Sequence, residues 1–220
     1  MRRRLAWLLI AFVAAGCAPL HPVDSPRPRT VFLGDSITAN WAREPFIRDN
    51  ADFVARGVSG ETLAQIAARF DRDVVAVHPA IVHLLGGTND VAENQGRETD
   101  AEIQGHIAAI VDLAQKNGIT VVLASIPPAA DFSWRPGLHP APRIIRLNDW
   151  IQDFAARNGI EYADYWSVLA TPDGAMKPEF APDGVHPNAD GYLAMQGPAR
   201  DAIERALARR SRGAAAAHGN

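Results

Sequence analysis

Cysteine is almost absent: the 220 residues hold one, Cys17. An internal disulfide and a zinc site built on cysteines are therefore excluded. A surplus of positive charge is missing too. Against 25 Asp and Glu stand 22 Lys and Arg, for a formal net charge of −3, and this lacks the basic footprint of a nucleic-acid binder. The one basic cluster, Arg205, Arg209, Arg210 and Arg212, lies beside Asp201 and Glu204. It reads as a solvated helix end favoured by the C-terminal dipole. Long apolar runs are also lacking. The longest, Leu5–Ala15, falls well short of the roughly 20 residues that span a bilayer. What remains is 47% hydrophobic and 21% charged, the balance of one globular domain with one substantial core.

The first residues read as an address. Arg2, Arg3 and Arg4 precede the apolar run, and Ala14-Ala15-Gly16-Cys17 follows it. This is the pattern of an export signal over residues 1–16. Ala14-Ala15-Gly16-Cys17 resembles a bacterial lipobox, in which Cys17 becomes the lipidated mature N-terminus. Plain secretion with an incidental Cys17 is the other reading, and both export the chain to the bacterial cell envelope. Residues 17–29, with Pro19, Pro22, Pro26 and Pro28, read as an extended tether. A lipid on Cys17 would hang the domain from the periplasmic side of a membrane without spanning it.

From Thr30 onward, short apolar runs alternate with amphipathic segments. Strands are expected at Thr30–Leu33, Phe53–Ala55, Ala80–Leu85, Ile119–Ala124 and Ile160–Ala163. Their hydrophobicity is continuous, which suits parallel strands buried on both faces. Helices are expected at Glu61–Phe70, after the capping box Thr99-x-x-Glu102, around Ile144–Phe154, and from Ala189 to Arg209 with a bend near Pro198. Residues 30–210 thus form one α/β domain of three layers, α/β/α, on a mostly parallel sheet. Residues 126–142, rich in proline and containing Trp134, are expected as an irregular loop near the site edge, and 211–220 as a disordered tail.

In such sheets, sites lie outside the carboxyl ends of the strands. Three glycine-containing turns, Gly34-Asp35-Ser36, Gly57–Gly60 and Gly86–Asp90, each follow an expected strand and share that edge. Ser36 can be a nucleophile given a base, or simply a helix N-cap. Asp183 and His186 stand three apart before the last helix, close enough for the carboxylate to orient the imidazole toward Ser36. Read plainly, they are a turn residue and a surface histidine, with Asn188 as a helix cap. Asn89 can present a neutral amide, and Gly60 a backbone N–H, to a developing oxyanion.

In this order, Gly-Asp-Ser at 34–36, Gly60, Gly86-x-x-Asn89 and Asp183-x-x-His186 resemble the four blocks of the SGNH (GDSL-like) hydrolase superfamily. The resemblance runs from Val31 to about Tyr192. It implies a flavodoxin-like five-stranded parallel sheet and a carboxylic ester hydrolase acting through an acyl-serine. It makes Ser36, Asp183 and His186 catalytic, and the Ser36 N–H, Gly60 and Asn89 the oxyanion hole. It implies no metal and no cofactor. Substrates would be short acyl or O-acetyl esters, on polysaccharide or on lysophospholipid, with deacetylation of a glycan preferred. The contrasting reading is a catalytically silent glycan-binding or scaffold lipoprotein on the same fold. A phosphate-binding flavodoxin-like module is disfavoured, because the first loop lacks a glycine run.

Other residues receive no catalytic role. Asp35 and Asp90 are expected to fix loop geometry, pointing away from the site. His83 should be a packed strand histidine. Trp41 and Trp166 default to the core, whereas Trp134 is the best candidate for a pocket wall. Arg56 and Glu61 are assigned nothing.

Overall fold

A computed structural model describes residues 29–218. The signal segment 1–16, Cys17 and the tether up to residue 28 lie outside the described residues. Elements follow in the order β1 (Thr30–Gly34), α1 (Ser36–Trp41), α2 (Pro45–Arg48), β2 (Phe53–Gly57), α3 (Leu63–Ala68), α4 (Phe70–Asp73), β3 (Ile81–Leu85), α5 (Thr88–Val91), α6 (Asp100–Lys116), β4 (Thr120–Ala124), α7 (Ala141–Arg157), β5 (Glu161–Ala163), α8 (Trp166–Leu169) and α9 (Ala189–His218). The five strands form one sheet of order β2-β1-β3-β4-β5, with every pairing parallel. The expected three-layer α/β/α fold is therefore present.

The strands need apolar side chains on both faces because both are covered. In β1, Val31 and Leu33 join the cluster under α3, α6 and α7, while Phe32 joins the opposite cluster with α1 and α9. The same alternation divides Val82 and Leu84 from Ile81 and Leu85 in β3, as the two-residue side-chain period requires. His83 sits on the α1/α9 face, fully buried. Its Nε2 lies 2.6 Å from the Tyr165 hydroxyl, and burial pushes its pKa down to about 3. It is a neutral, packed histidine. Trp41 is fully buried among aromatic rings, and Trp166 packs on the other cluster.

Local signals set the helix ends. Thr99 and Glu102 make both bonds of the capping box that opens α6. Gly118 and Gly159 follow α6 and α7 with φ of +67° and +64°, which glycine adopts without strain. At the C-terminus the expectation fails. Helix α9 continues past Arg209 to His218, where a disordered tail over 211–220 was expected. Gly213 does not end the helix, because the run Ala214–Ala217 that follows it has the highest helix propensity. The basic cluster also does more than face water. Arg205 and Arg209 both reach Glu161 at the β5 edge, at 2.8 Å each, and Arg210 donates to the Gly118 carbonyl at 2.8 Å.

Candidate active site

In this strand order β1 and β3 are neighbours whose connections leave to opposite sides, from β1 to β2 and from β3 to β4. That makes the crevice beyond the carboxyl ends of β1 and β3 a topological switch point, where α/β sheets place their sites. Ser36 follows β1 and Asn89 follows β3. The sheet thus brings the first and third motifs to one place.

The turn after β1 leaves no room for a side chain at Gly34: a Cβ there would meet the Leu85 carbonyl oxygen and the Thr38 hydroxyl. Asp35, not Ser36, caps α1, accepting from the Ile37 N–H at 2.9 Å. The capping reading of Ser36 therefore falls to its neighbour, and the Ser36 hydroxyl is left free. It lies 2.9 Å from His186 Nε2. His186 Nδ1 lies 2.7 Å from Asp183 Oδ2, and Asp183 Oδ1 accepts from the backbone N–H of His186 and of Val185. Partial burial raises the Asp183 pKa, but the His186 and Val185 bonds outweigh it and hold the carboxyl below its usual range. An ionised carboxylate only accepts, so Nδ1 carries the proton and Nε2 is free to take one from Ser36. Asn188 caps α9, as expected, by accepting from Gly191 N–H at 3.0 Å.

Ser36, Gly60, Asn89, Asp183 and His186 line one open cleft of about 590 Å³, completed by Asn40, Ser59, Asn94 and Trp134. Every site residue expected in the domain is thus gathered. Gly60 has φ +82°, and a Cβ there would meet nothing within 4 Å; its backbone angle, not crowding, favours glycine. Asn89 is 4% exposed. Its Nδ2 donates to the Glu61 carbonyl at 2.9 Å, and its Oδ1 accepts from Asn94 Nδ2 at 2.6 Å.

Asp35 and Asp90 stay out of the cleft lining and hold loops, as expected. Asp90 accepts from Leu63 N–H at the start of α3. Asp35, however, does not simply point away: its Oδ2 comes within 3.4 Å of Asn89 Nδ2. Burial pushes the Asp35 pKa up to about 6, with the Ile37 N–H and His186 pulling it down. Burial likewise pushes Asp90 up to about 7, against the Leu63 N–H.

The sign of the consequence is set by the unfolded values near 3.9. Between that pH and about 7 the folded chain keeps a proton that the unfolded chain gives up. Stability from Asp90 is thus complete below pH 4 and lost as pH rises to about 7. Asp90→Asn cannot titrate and keeps an oxygen for Leu63. Its urea midpoint should fall less between pH 4.5 and 7.5 than the wild type's, by the equivalent of about 3 kcal/mol. Parallel pH curves for the two proteins would reject this.

Two features escaped the sequence. Arg69 is 7% exposed, yet it donates to the carbonyls of Gly34 and Arg56 and pairs with Glu61 and Asp73. Its signal was an arginine at the apolar spacing of α3, between buried Ile66 and Phe70, with an acid four residues on. Asn94 carried no signal, since only the fold turns it toward Asn89.

A five-stranded parallel sheet with this cleft at its switch point defines an α/β protein whose candidate site lies at the carboxyl ends of its strands. The chain belongs to the GDSL-like lipase/acylhydrolase family, whose model matches residues 32–194. It is 38% identical to a GDSL-like lipase from Bacteroides thetaiotaomicron, with 81% of this chain and 89% of that one covered and a TM-score of 0.78. It shares its fold with an acetyl xylan esterase, AlAXEase, at 21% identity, 80% and 99% coverage and a TM-score of 0.66. Among curated proteins it is 23% identical to the uncharacterized lipoprotein YqeF of Bacillus subtilis, over 79% of this chain and 83% of that protein.

Proposed function

We propose that the protein is a serine carboxylic ester hydrolase with Ser36 as nucleophile, His186 as base and Asp183 as its orienting acid. The observation that carries this is the unbroken string Ser36 Oγ to His186 Nε2 at 2.9 Å and His186 Nδ1 to Asp183 Oδ2 at 2.7 Å. His186 Nε2 takes the Ser36 proton as Oγ attacks the ester carbonyl. The negative oxygen is met by the Ser36 N–H, the Gly60 N–H and the Asn89 amide. The imidazolium then protonates the departing alcohol, leaving an acyl-serine. Water, deprotonated by His186, attacks that acyl group and frees the acid and Ser36. Each oxyanion donor is worth about 3–4 kcal/mol to the transition state.

The cleft is open, and Trp134 is the one large apolar side chain among its lining residues. That favours short acyl groups, with O-acetyl esters on a polysaccharide ahead of the long chains of a lysophospholipid. The experiment is hydrolysis of p-nitrophenyl esters from acetate to octanoate, with fluorophosphonate labelling of Ser36. Turnover should be highest for acetate. A folded protein that neither turns over esters nor labels would instead be the silent scaffold.

The same reading places the domain on the bacterial envelope, anchored by a lipid on Cys17. The motif Ala14-Ala15-Gly16-Cys17 and the similarity to a protein named a lipoprotein support it. Among the described residues, no helix is long and apolar enough to cross a membrane. Cys17→Ala should move the protein from the membrane fraction to the soluble one with hydrolysis unchanged. A mutant that stays with the membrane would count against the anchor.

A further inference from the structure

We propose that Trp134 and Asn94 are positioning residues that set the orientation of the Asn89 amide through a one-way chain of hydrogen bonds. The inference rests on Asn89 serving as an oxyanion donor. Trp134 Nε1 donates to Asn94 Oδ1 at 2.9 Å. Asn94 Nδ2 donates to Asn89 Oδ1 at 2.6 Å, and Asn89 Nδ2 donates to the Glu61 carbonyl at 2.9 Å.

The two ends of the chain fix its direction. An asparagine amide has nearly the same shape either way round, so its neighbours decide which end is oxygen. An indole N–H can only donate. Asn94 must therefore turn its oxygen to Trp134 and its NH₂ to Asn89. Asn89 then turns its oxygen to Asn94 and its NH₂ to the Glu61 carbonyl and Asp35. At the far end, a backbone carbonyl can only accept, and it selects the same orientation. One N–H of Asn89 is used by Glu61. The other reaches Asp35 Oδ2 at 3.4 Å, a long and weak hydrogen bond that an oxyanion can displace. A reversed Asn89 would present a carbonyl oxygen to that same negative charge.

Trp134 suits this task because its loop is tied down while its ring meets the cleft. Buried Phe132 packs against the indole at 5.1 Å between ring centres. Arg135 donates to the Glu93 carbonyl at 2.8 Å, joining the loop to the end of α5. The indole itself is 41% exposed and stands 6.3 Å from the His186 ring. A substrate's leaving group lying between them would press on the residue that orients the oxyanion donor.

The substitutions separate ring from N–H. Trp134→Phe keeps an aromatic wall and removes the donor. Asn94→Asp still accepts from the indole but has nothing to donate to Asn89 at neutral pH. Asn94→Ala breaks both links. Each is assayed for kcat and KM on p-nitrophenyl acetate and for the rate of Ser36 labelling by a fluorophosphonate, with melting curves as the folding check and Ser36→Ala as control. We expect Trp134→Phe to lower kcat and the labelling rate by about 5- to 10-fold with KM within about twofold, since donors act on the transition state. Asn94→Asp and Asn94→Ala should lose at least as much, and Trp134→Phe/Asn94→Ala no more than Asn94→Ala alone. Wild-type kcat in Trp134→Phe, a loss confined to KM, or multiplying effects in the double variant would overturn the chain while Ser36 keeps its role. Full activity in Ser36→Ala would remove the nucleophile and this inference together.

Discussion

Ser36→Ala should lower kcat for p-nitrophenyl acetate by at least about 10⁴-fold while the protein melts within a few degrees of the wild type. The two halves of that expectation have separate causes. Asp35 supplies the helix cap, so the Ser36 hydroxyl has no structural task to lose. Its partner is the imidazole of His186, and a hydroxyl has no other route to alkoxide character at neutral pH. His186→Ala should cost nearly as much, and the double variant no more than Ser36→Ala. Residues that act in one step are not additive. Asp183→Asn should fall between these and the wild type: it keeps a group beside Nδ1 but loses the charge that stabilises the imidazolium. A Ser36→Ala protein with a tenth or more of wild-type activity would move the chemistry away from this cleft. Two independent losses in the double variant would mean that Ser36 and His186 do not act together.

The sheet was legible because its physics is written locally. A parallel strand buried on both faces must be apolar at successive positions, and Thr30–Leu33, Ala80–Leu85 and Ile119–Ala124 are. The site was legible for a different reason. Its five domain residues lie at strand ends or before the last helix, and the sheet order then carries them to one edge. Gly34 is a case in point: the crowding by Leu85 that demands glycine leaves a visible mark in the sequence. The contacts that support these residues left fainter marks. Asn94 reaches Asn89 across a turn and Trp134 across 40 positions, and neither spacing is periodic. The end of α9 was not legible because the alanines and arginines of 205–217, with Gly213 among them, suit a helix and a solvated tail alike. The pairing of Arg205 and Arg209 with Glu161 is a long-range contact that no window of sequence contains.

Arg69 is where that missing information costs most, and Arg69→Met should destabilise the protein by about 3–5 kcal/mol. The guanidinium is nearly buried and spends its donors on four groups. It pairs with Glu61 and Asp73, and it donates to the Gly34 carbonyl at 2.8 Å and the Arg56 carbonyl at 3.1 Å. Methionine fills much of the volume, so the loss is not mainly one of packing. It lies in the partners left behind: the Glu61 carboxylate, largely out of water, and two carbonyls at the ends of β1 and β2, while Asp73 keeps its pair with Arg72. Leaving buried acceptors and a charge unpaired carries the full desolvation cost. For a domain of this size that is a fall in Tm of roughly 10–15 °C. Arg69→Lys should recover only part of it, because one ammonium cannot reach four acceptors in a planar fork. Activity should fall further than stability explains when measured well below the melting temperature. Gly34 precedes the nucleophile turn, and the Glu61 whose side chain Arg69 grips offers its carbonyl to Asn89. Arg69 therefore couples the β1 turn to the Asn89 amide, and kcat should drop about tenfold at unchanged KM, as for a lost orientation rather than lost binding. A folded Arg69→Met protein with wild-type kcat would show that the turn and the amide hold their places without it. A melting temperature within about 2 °C of the wild type would show that water satisfies the four groups that the arginine now serves.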